Sequence, residues 1–322
     1  MSLERLRLIP LIQTGFTTTK TPAMMSHPEE QYLTLLQKLI TEGDERIDRT
    51  GVGTRALFGY TMRFDLAAGF PLFTTKQIFW KTAFKELLWM LSGGRNIREL
   101  LAQNVRIWTD WPLKKYRNAT GESISQEDFE QRILSDDGFA ARWGDLGPVY
   151  GYQWRRWKGY DGKEIDQVQQ LVDGLKNDPT SRRLLFEGWN VAQLDEMALP
   201  PCHKTYQFFV CQATNTLSGA LMQRSADAYL GLGWNIANLA LLTHLLADHC
   251  NFTPGEIVWF GGDVHLYLNH VPQAQLQIER KPRPFPSLHI KRKAADIFDY
   301  RIEDFELAGY DPHPHIPAEV AV

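Results

Sequence analysis

A cysteine follows two prolines at Leu199-Pro200-Pro201-Cys202-His203, just ahead of a segment with strand character. The prolines fix the approach of the chain, and a strand start presents a side chain at a defined point. A single cysteine is by default a small buried hydrophobe. As a nucleophile it must be a thiolate, and a free thiol of pKa about 8.5 is only a few per cent ionised at pH 7. Lowering that pKa by ~2 units takes ~2.7 kcal/mol of selective anion stabilisation, which a nearby guanidinium can supply. A reactive Cys202 therefore needs an arginine beside its sulfur.

Arginines stand in suggestive settings. Arg224 lies between Gln223 and Ser225 at a strand end, Arg49 sits in the Gly-rich stretch Asp48–Thr54, and Arg182-Arg183 follow Ser181. Planar guanidinium forks suit phosphate oxygens, and Ser225 can add a hydroxyl. Taken singly, each arginine reads as a solvated surface charge. Glu86 is the one acid amid Phe84, Leu87, Leu88 and Trp89. It reads either as part of an exposed helix face or as a carboxylate held in a dry cleft for proton transfer. Other patterns are thin. Gly51-Val52-Gly53 matches neither a dinucleotide fingerprint nor a P-loop. The pairs His244/His249 and His265/His270 lack ligand spacing, so no metal is expected.

The elements that must carry these groups follow from periodicity. Tyr32, Leu33, Leu35, Leu36, Leu39 and Ile40 recur at helical spacing, and Gly43 is a stop. A second helix is predicted from Phe79 to Leu91, ended by Gly93-Gly94. A third is predicted over Ile165–Lys176, and a long one over Ile236–Cys250. Leu57–Phe64, Arg183–Trp189, Thr205–Cys211, Thr216–Gln223, Glu256–Gly261 and Leu288–Lys293 read as strands, with a polar turn at Ala213–Asn215. Gly144 to Trp157, aromatic and glycine-rich, reads as a loop. Pro112 to Arg142 is polar and poor in large aliphatics, so it reads as an inserted subdomain or a long loop closing the cleft. Strands that meander and helices that segregate point to an α+β fold.

The 322 residues, 43% hydrophobic, are ample for one large core. A net charge of −3 advertises no nucleic-acid partner, so anion binding must come from local arginines. The three cysteines, Cys202, Cys211 and Cys250, form no CxxC pair and fit a reducing, cytoplasmic setting. No apolar run approaches the roughly 20 residues that span a bilayer. Residues 1–28 read as a disordered or leader segment, and 29–322 as a single catalytic domain with its insertion at about 112–142.

Collectively the motifs become specific. Asp48-Arg49-Thr50-Gly51-Val52-Gly53-Thr54, Phe70-Pro71-Leu72 with Thr74-Thr75-Lys76, Glu86-Leu87-Leu88-Trp89, Gly144-Asp145-Leu146-Gly147-Pro148-Val149-Tyr150-Gly151, Pro201-Cys202-His203, Gln223-Arg224-Ser225, Gly261-Gly262-Asp263 with His265-Leu266-Tyr267, and Gly309-Tyr310-Asp311-Pro312 stand in one order. That order resembles the thymidylate synthases from about Gln31 to Val322, the insertion excluded.

The resemblance implies a mixed, largely antiparallel sheet with helices on one face, and a homodimer packed sheet to sheet. It implies conversion of dUMP to dTMP, with 5,10-methylenetetrahydrofolate as co-substrate and no metal. By motif, Cys202 is the nucleophile at C6 of the pyrimidine and Glu86 the general acid/base, with Tyr150 and His203 supporting it. Asn235 reads the uracil edge. Arg224, Ser225 and Arg49 hold the phosphate, joined by Gln223 and, from the partner subunit, Arg182 and Arg183; Arg224 is also a catalytic residue that lies near the Cys202 sulfur, which meets the need for a cation there. His265 and Tyr267 meet the deoxyribose hydroxyl, and Asp227 serves substrate and folate. Trp108, Trp111, Leu230, Gly231 and the C-terminal Val320, Ala321 and Val322 are implied folate contacts, the C-terminus folding over to exclude water.

The sequence also departs from the family pattern. After Gly231 the family commonly has Leu or Val and then Pro-Phe-Asn, whereas here stand Leu232-Gly233-Trp234-Asn235. Gln77 and Phe79 replace commoner basic residues associated with the folate tail, and Ala220 and Met222 are unusual in their strand. A rival within the chemistry is a deoxynucleotide monophosphate hydroxymethylase, in which water captures the methylene intermediate. Asn235 and the Trp108 wall argue against it. A catalytically idle nucleotide-binding protein would lack Cys202 or Glu86. A cysteine hydrolase is disfavoured because adjacent strand side chains point to opposite faces, which would separate His203 from Cys202.

Overall fold

The structure, a computed structural model, describes residues 27–47 and 51–319. Arg49, Val320, Ala321 and Val322 lie outside the described residues, as does the leader apart from its last two positions.

Helix α1 (Glu30–Glu42) buries Tyr32, Leu35, Leu36 and Leu39, the face its spacing predicts, and ends at Gly43. The sheet comprises β1 (Asp44–Arg46), β2 (Thr54–Asp65), β3 (Leu185–Glu187), β4 (His203–Cys211), β5 (Thr216–Asp227) and β6 (Thr253–Tyr267). Their spatial order is β1-β2-β6-β5-β4-β3, and every pair is antiparallel except β5 with β6. A parallel pair needs a crossover. Helix α8 (Leu232–Cys250) supplies it and packs against both strands. Most of α8 is apolar, with Leu239, Leu242, Leu245 and Leu246 fully buried, so it is the central helix of the core.

Alternation along β5 separates two faces. Leu217, Gly219, Leu221 and Gln223 are buried, while Ser218, Ala220 and Met222 face the other way. Helix α2 (Trp80–Leu91) buries Phe84, Glu86, Leu87, Met90 and Leu91 and packs on α8. Glu29 anchors the loop into α2: its two carboxylate oxygens accept from the amides and hydroxyls of Thr74 and Thr75 at 2.6–2.8 Å.

Two stretches hold more helix than a loop would. The polar stretch read as an inserted subdomain or a long loop forms three helices, α3 (Asp110–Thr120), α4 (Gln126–Ser135) and α5 (Asp137–Trp143). Tyr116, Phe129, Ile133 and Phe139 make a small aromatic core there. The supposed loop at Gly144–Trp157 contains α6 (Tyr150–Arg156). Its Gly151 is a contact point rather than a breaker, because a Cβ there would come within 2.6 Å of the Met90 carbonyl oxygen. Helix α7 (Gln167–Asn177) and the small ladder of β7 (Ser287–Ile290) with β8 (Phe305–Ala308) complete the described architecture used below.

Candidate active site

A cavity of about 680 Å³ opens where the ends of β4, β5 and β6 meet α2, α6 and the start of α8. It gathers Cys202, Glu86, Tyr150, His203, Asn235, Arg224, Gln223, Ser225, Asp227, His265, Tyr267, Trp108, Trp111 and Gly231, residues scattered over 182 positions of sequence (267 − 86 + 1). Leu230 packs against the core instead of lining the cavity. Arg182 and Arg183 are exposed ahead of β3 and do not line this chain's cavity.

On the sheet side, Cys202 stands one residue before β4. Its amide donates to the Tyr150 hydroxyl at 2.8 Å, and its carbonyl accepts from the Arg224 amide at 2.9 Å. The Arg224 guanidinium is held by two carbonyls: Nε donates to Pro201 O at 2.9 Å and Nη2 to Pro200 O at 2.8 Å. This grip leaves Nη2 3.9 Å from the Cys202 sulfur. The prolines thus do more than shape the chain, because their carbonyls aim the cation. Trp189 lies against the guanidinium, 5.0 Å from its centre.

His203 also lines the cavity, so strand alternation does not separate it from Cys202 as expected. Cys202 precedes the strand, and the pairing of β4 with β5 is irregular between His203 and Thr205. Its ring is engaged elsewhere: Nδ1 lies 3.0 Å from the Tyr206 hydroxyl, and Asn235 hydrogen-bonds to it. Burial lowers its pKa to about 4, so the imidazole is neutral at physiological pH. Burial raises the Tyr150 pKa well above the phenol range, and negative charge at Cys202 raises it further.

On the helix side, Glu86 is buried, the second of the two sequence readings. Trp108 Nε1 donates to Oε1 at 2.8 Å, Trp234 Nε1 donates to Oε2 at 2.8 Å, and Asn238 Nδ2 approaches Oε2 at 3.4 Å. Burial raises the Glu86 pKa above the ordinary carboxyl range, and the three donors partly offset it.

Other side chains prepare the walls. The Gln223 amide is fixed between the Trp259 indole N–H, which donates to it at 2.9 Å, and the Ser225 carbonyl at 3.0 Å. Asp227 Oδ1 accepts from the amides of Tyr229 and Leu230 at 2.9 and 3.0 Å, which shapes the turn into α8. Sequence reasoning missed Arg46, which lines the cavity and pairs with Asp263 at 2.8 Å. Asp263 also lies 3.1 Å from His265 Nδ1. The Gly-Gly-Asp motif holds this aspartate, but nothing local in the sequence marks Arg46 as its partner. Among the described residues, no group of His, Cys, Asp and Glu side chains is placed to hold a metal ion. No helix among them is long and apolar enough to cross a membrane.

Comparison with known proteins gives one family. The family model described as thymidylate synthase matches residues 30–322. The chain is 58% identical over 299 residues to the thymidylate synthase of Rhodopseudomonas palustris (strain BisA53), covering 92% of this chain and 100% of that one. It is 57% identical over 299 residues to that of Cereibacter sphaeroides (strain ATCC 17025 / ATH 2.4.3), with the same coverage. It is 56% identical over 310 residues to that of Rhizorhabdus wittichii, covering 93% and 100%.

Proposed function

The chain belongs to the thymidylate synthase family, and from that premise we propose how its own residues carry the reaction. The reaction is reductive methylation of dUMP to dTMP, with 5,10-methylenetetrahydrofolate as donor and dihydrofolate as product. The folate supplies the one-carbon unit and the hydride, and the protein binds, activates and shields. The hydroxymethylase alternative is not favoured, since the named relatives are thymidylate synthases over their full length.

One observation carries the assignment of roles: the Arg224 guanidinium 3.9 Å from a cysteine sulfur in the cleft that also holds a buried carboxyl. The cation favours the thiolate over the thiol. The Cys202 sulfur adds to C6 of uracil, the C5–C6 π electrons move toward O4, and C5 becomes nucleophilic. Glu86, with water, handles the protons at O4 and C5. A carboxyl with a raised pKa can both hold and release a proton near neutrality. Asn235 and the neutral His203 orient the ring edge. Arg224, Ser225, Gln223 and Arg49 bind the phosphate, while His265 and Tyr267 meet the deoxyribose. Trp108, Trp111, Asp227, Gly231 and the C-terminal Val320 and Ala321 contact the folate. When the sulfur leaves C6 the double bond is restored. With dUMP and methylenetetrahydrofolate the enzyme should form dihydrofolate, read by absorbance. Cys202→Ser should bind dUMP and form no dTMP; undiminished dTMP formation would refute the nucleophile.

The homodimer is part of the same reading. The sheet face turned away from the helices carries exposed Phe209 and Met222, with Phe260 beside Met222 across the β5–β6 ladder. An exposed apolar patch of this kind is the signature of an interface. Arg182 and Arg183, which serve no site in their own chain, would then reach the partner's phosphate. Activity recovered by mixing an Arg182→Ala/Arg183→Ala double variant with Cys202→Ser is the expected result; inert mixed dimers would remove the shared site. A cytoplasmic location accords with the sparse count of three cysteines.

A further inference from the structure

The sequence departs from the family pattern at Gly233-Trp234, beside the residue that reads uracil. The side chain of Trp234 turns its one polar atom toward Glu86 rather than toward the cavity, whose lining it does not join. Its indole N–H donates to Oε2 at 2.8 Å. Asn238 stands one helical turn further along α8 and offers its amide to the same oxygen at 3.4 Å. The opposite oxygen is held by Trp108 at 2.8 Å. A phenylalanine at this position would have no donor to give.

Gly233 belongs to the same device. A Cβ there would lie 3.0 Å from Ile78 Cδ1 and 3.1 Å from Phe73 Cδ2. Its absence lets the first turn of α8 settle against the loop before α2. That turn carries Trp234, and α2 carries Glu86.

We propose that Trp234 is a positioning residue for Glu86: its indole N–H fixes Oε2 from the first turn of α8 and so sets the pH at which the carboxyl releases its proton. The inference rests on the reading of Glu86 as the acid/base group. The grip matters because, among the described residues, every donor to this buried carboxylate is neutral. The titratable groups that sense its charge are Tyr150 of α6 and Tyr206 of β4, with Cys202 and His203 lining the same cavity. The cations that line that cavity, Arg224 and Arg46, are held by the Pro200 and Pro201 carbonyls and by Asp263; Lys85, next to Glu86 in sequence, donates to the Gln103 carbonyl, and Arg106 pairs with Glu130 at 3.2 Å. Among the described residues, two indoles and an amide thus anchor the carboxylate with no salt bridge to it. Each favours the ionised form by an increment small enough to leave proton exchange possible.

The test replaces Trp234 with β-(3-benzothienyl)alanine, which keeps the ring shape and lacks the N–H, and in parallel with Phe. The Glu86 carboxyl is titrated by infrared difference spectroscopy against a Glu86→Gln blank, and the pH profile of kcat/KM for dUMP is recorded alongside. Loss of the donor should raise the carboxyl midpoint by roughly one pH unit in both variants. The matching limb of the rate profile should move with it, and dUMP affinity should stay within about twofold. A midpoint left in place by the benzothienyl isostere overturns the proposal, even if Trp234→Phe raises the KM for folate by changing the wall. A midpoint that moves while the rate profile stays fixed supports the Trp234–Glu86 coupling and removes Glu86 from its role as proton carrier. The two failures are therefore distinguishable.

Discussion

The two walls of the cavity stabilise charge in opposite ways. On the sheet side, the Cys202 sulfur faces a full positive charge, and the Pro200 and Pro201 carbonyls hold that cation in place. On the helix side, Glu86 meets, among the described residues, only neutral donors, from Trp108, Trp234 and Asn238. A cation nearby biases a thiol strongly toward its anion. Neutral donors in a dry site offset part of the desolvation and leave the carboxyl raised. The contrast fits the work asked of each. A nucleophile must be ionised before it attacks, and an acid/base group must change state during the cycle.

The largest expected effect comes from erasing the cation. Arg224→Ala should lower kcat/KM by a factor of about 10² or more, from lost thiolate stabilisation and lost phosphate binding together. The pH profile of Cys202 alkylation should move up by about two units. An unchanged alkylation profile would dissolve the difference between the walls.

The aversion of the helical side to charge can be tested away from the site. Burial lowers the pKa of His244, on α8, to about 4, and its Nε2 has no hydrogen-bond partner among the described residues. As pH falls below about 6.5 the unfolded chain takes up this proton before the folded one does, so stability is lost between about 6.5 and about 4. The loss from this residue should approach ~3 kcal/mol. Denaturant titrations of His244→Gln should show a shallower acid slope over that window, and an unaltered slope would place the acid sensitivity elsewhere.

A smaller effect is expected on the sheet wall. Tyr150→Phe removes the acceptor of the Cys202 amide and should cost about 1 kcal/mol of stability, with a several-fold fall in kcat. Crystallography of the variant with dUMP would show whether the sulfur shifts. The smallest is Gly233→Ala. Its Cβ must push Ile78 and Phe73 by a few tenths of an ångström, at a cost of about 1 kcal/mol, and its effect should fall on the folate KM more than on dUMP binding.

Much of the fold is legible locally. The spacing of Tyr32, Leu35, Leu36 and Leu39 fixes a buried helix face, and Thr216–Gln223 alternates as a strand with one side inward. Reading fails where a residue answers to a distant neighbour. Gly151 looks like a loop signal because nothing nearby reveals the Met90 carbonyl it must clear. Pro112–Arg142 leaves an inserted subdomain and a long loop both open, because its core is a few aromatics rather than an aliphatic stripe. Residues 232–235, predicted to precede the long helix, form its first turn, which is why Trp234 reaches Glu86.

By itself the sequence determined the candidate reactive groups and the need for a cation at the sulfur, because side-chain chemistry and motif order belong to the chain alone. Only the tertiary structure decided how near Arg224 comes to the Cys202 sulfur, that Glu86 is buried rather than exposed, and that Trp234 holds it. Those facts depend on separations of a few ångströms between residues 22 and 148 positions apart in sequence, and such distances are set by how the helices and the sheet pack.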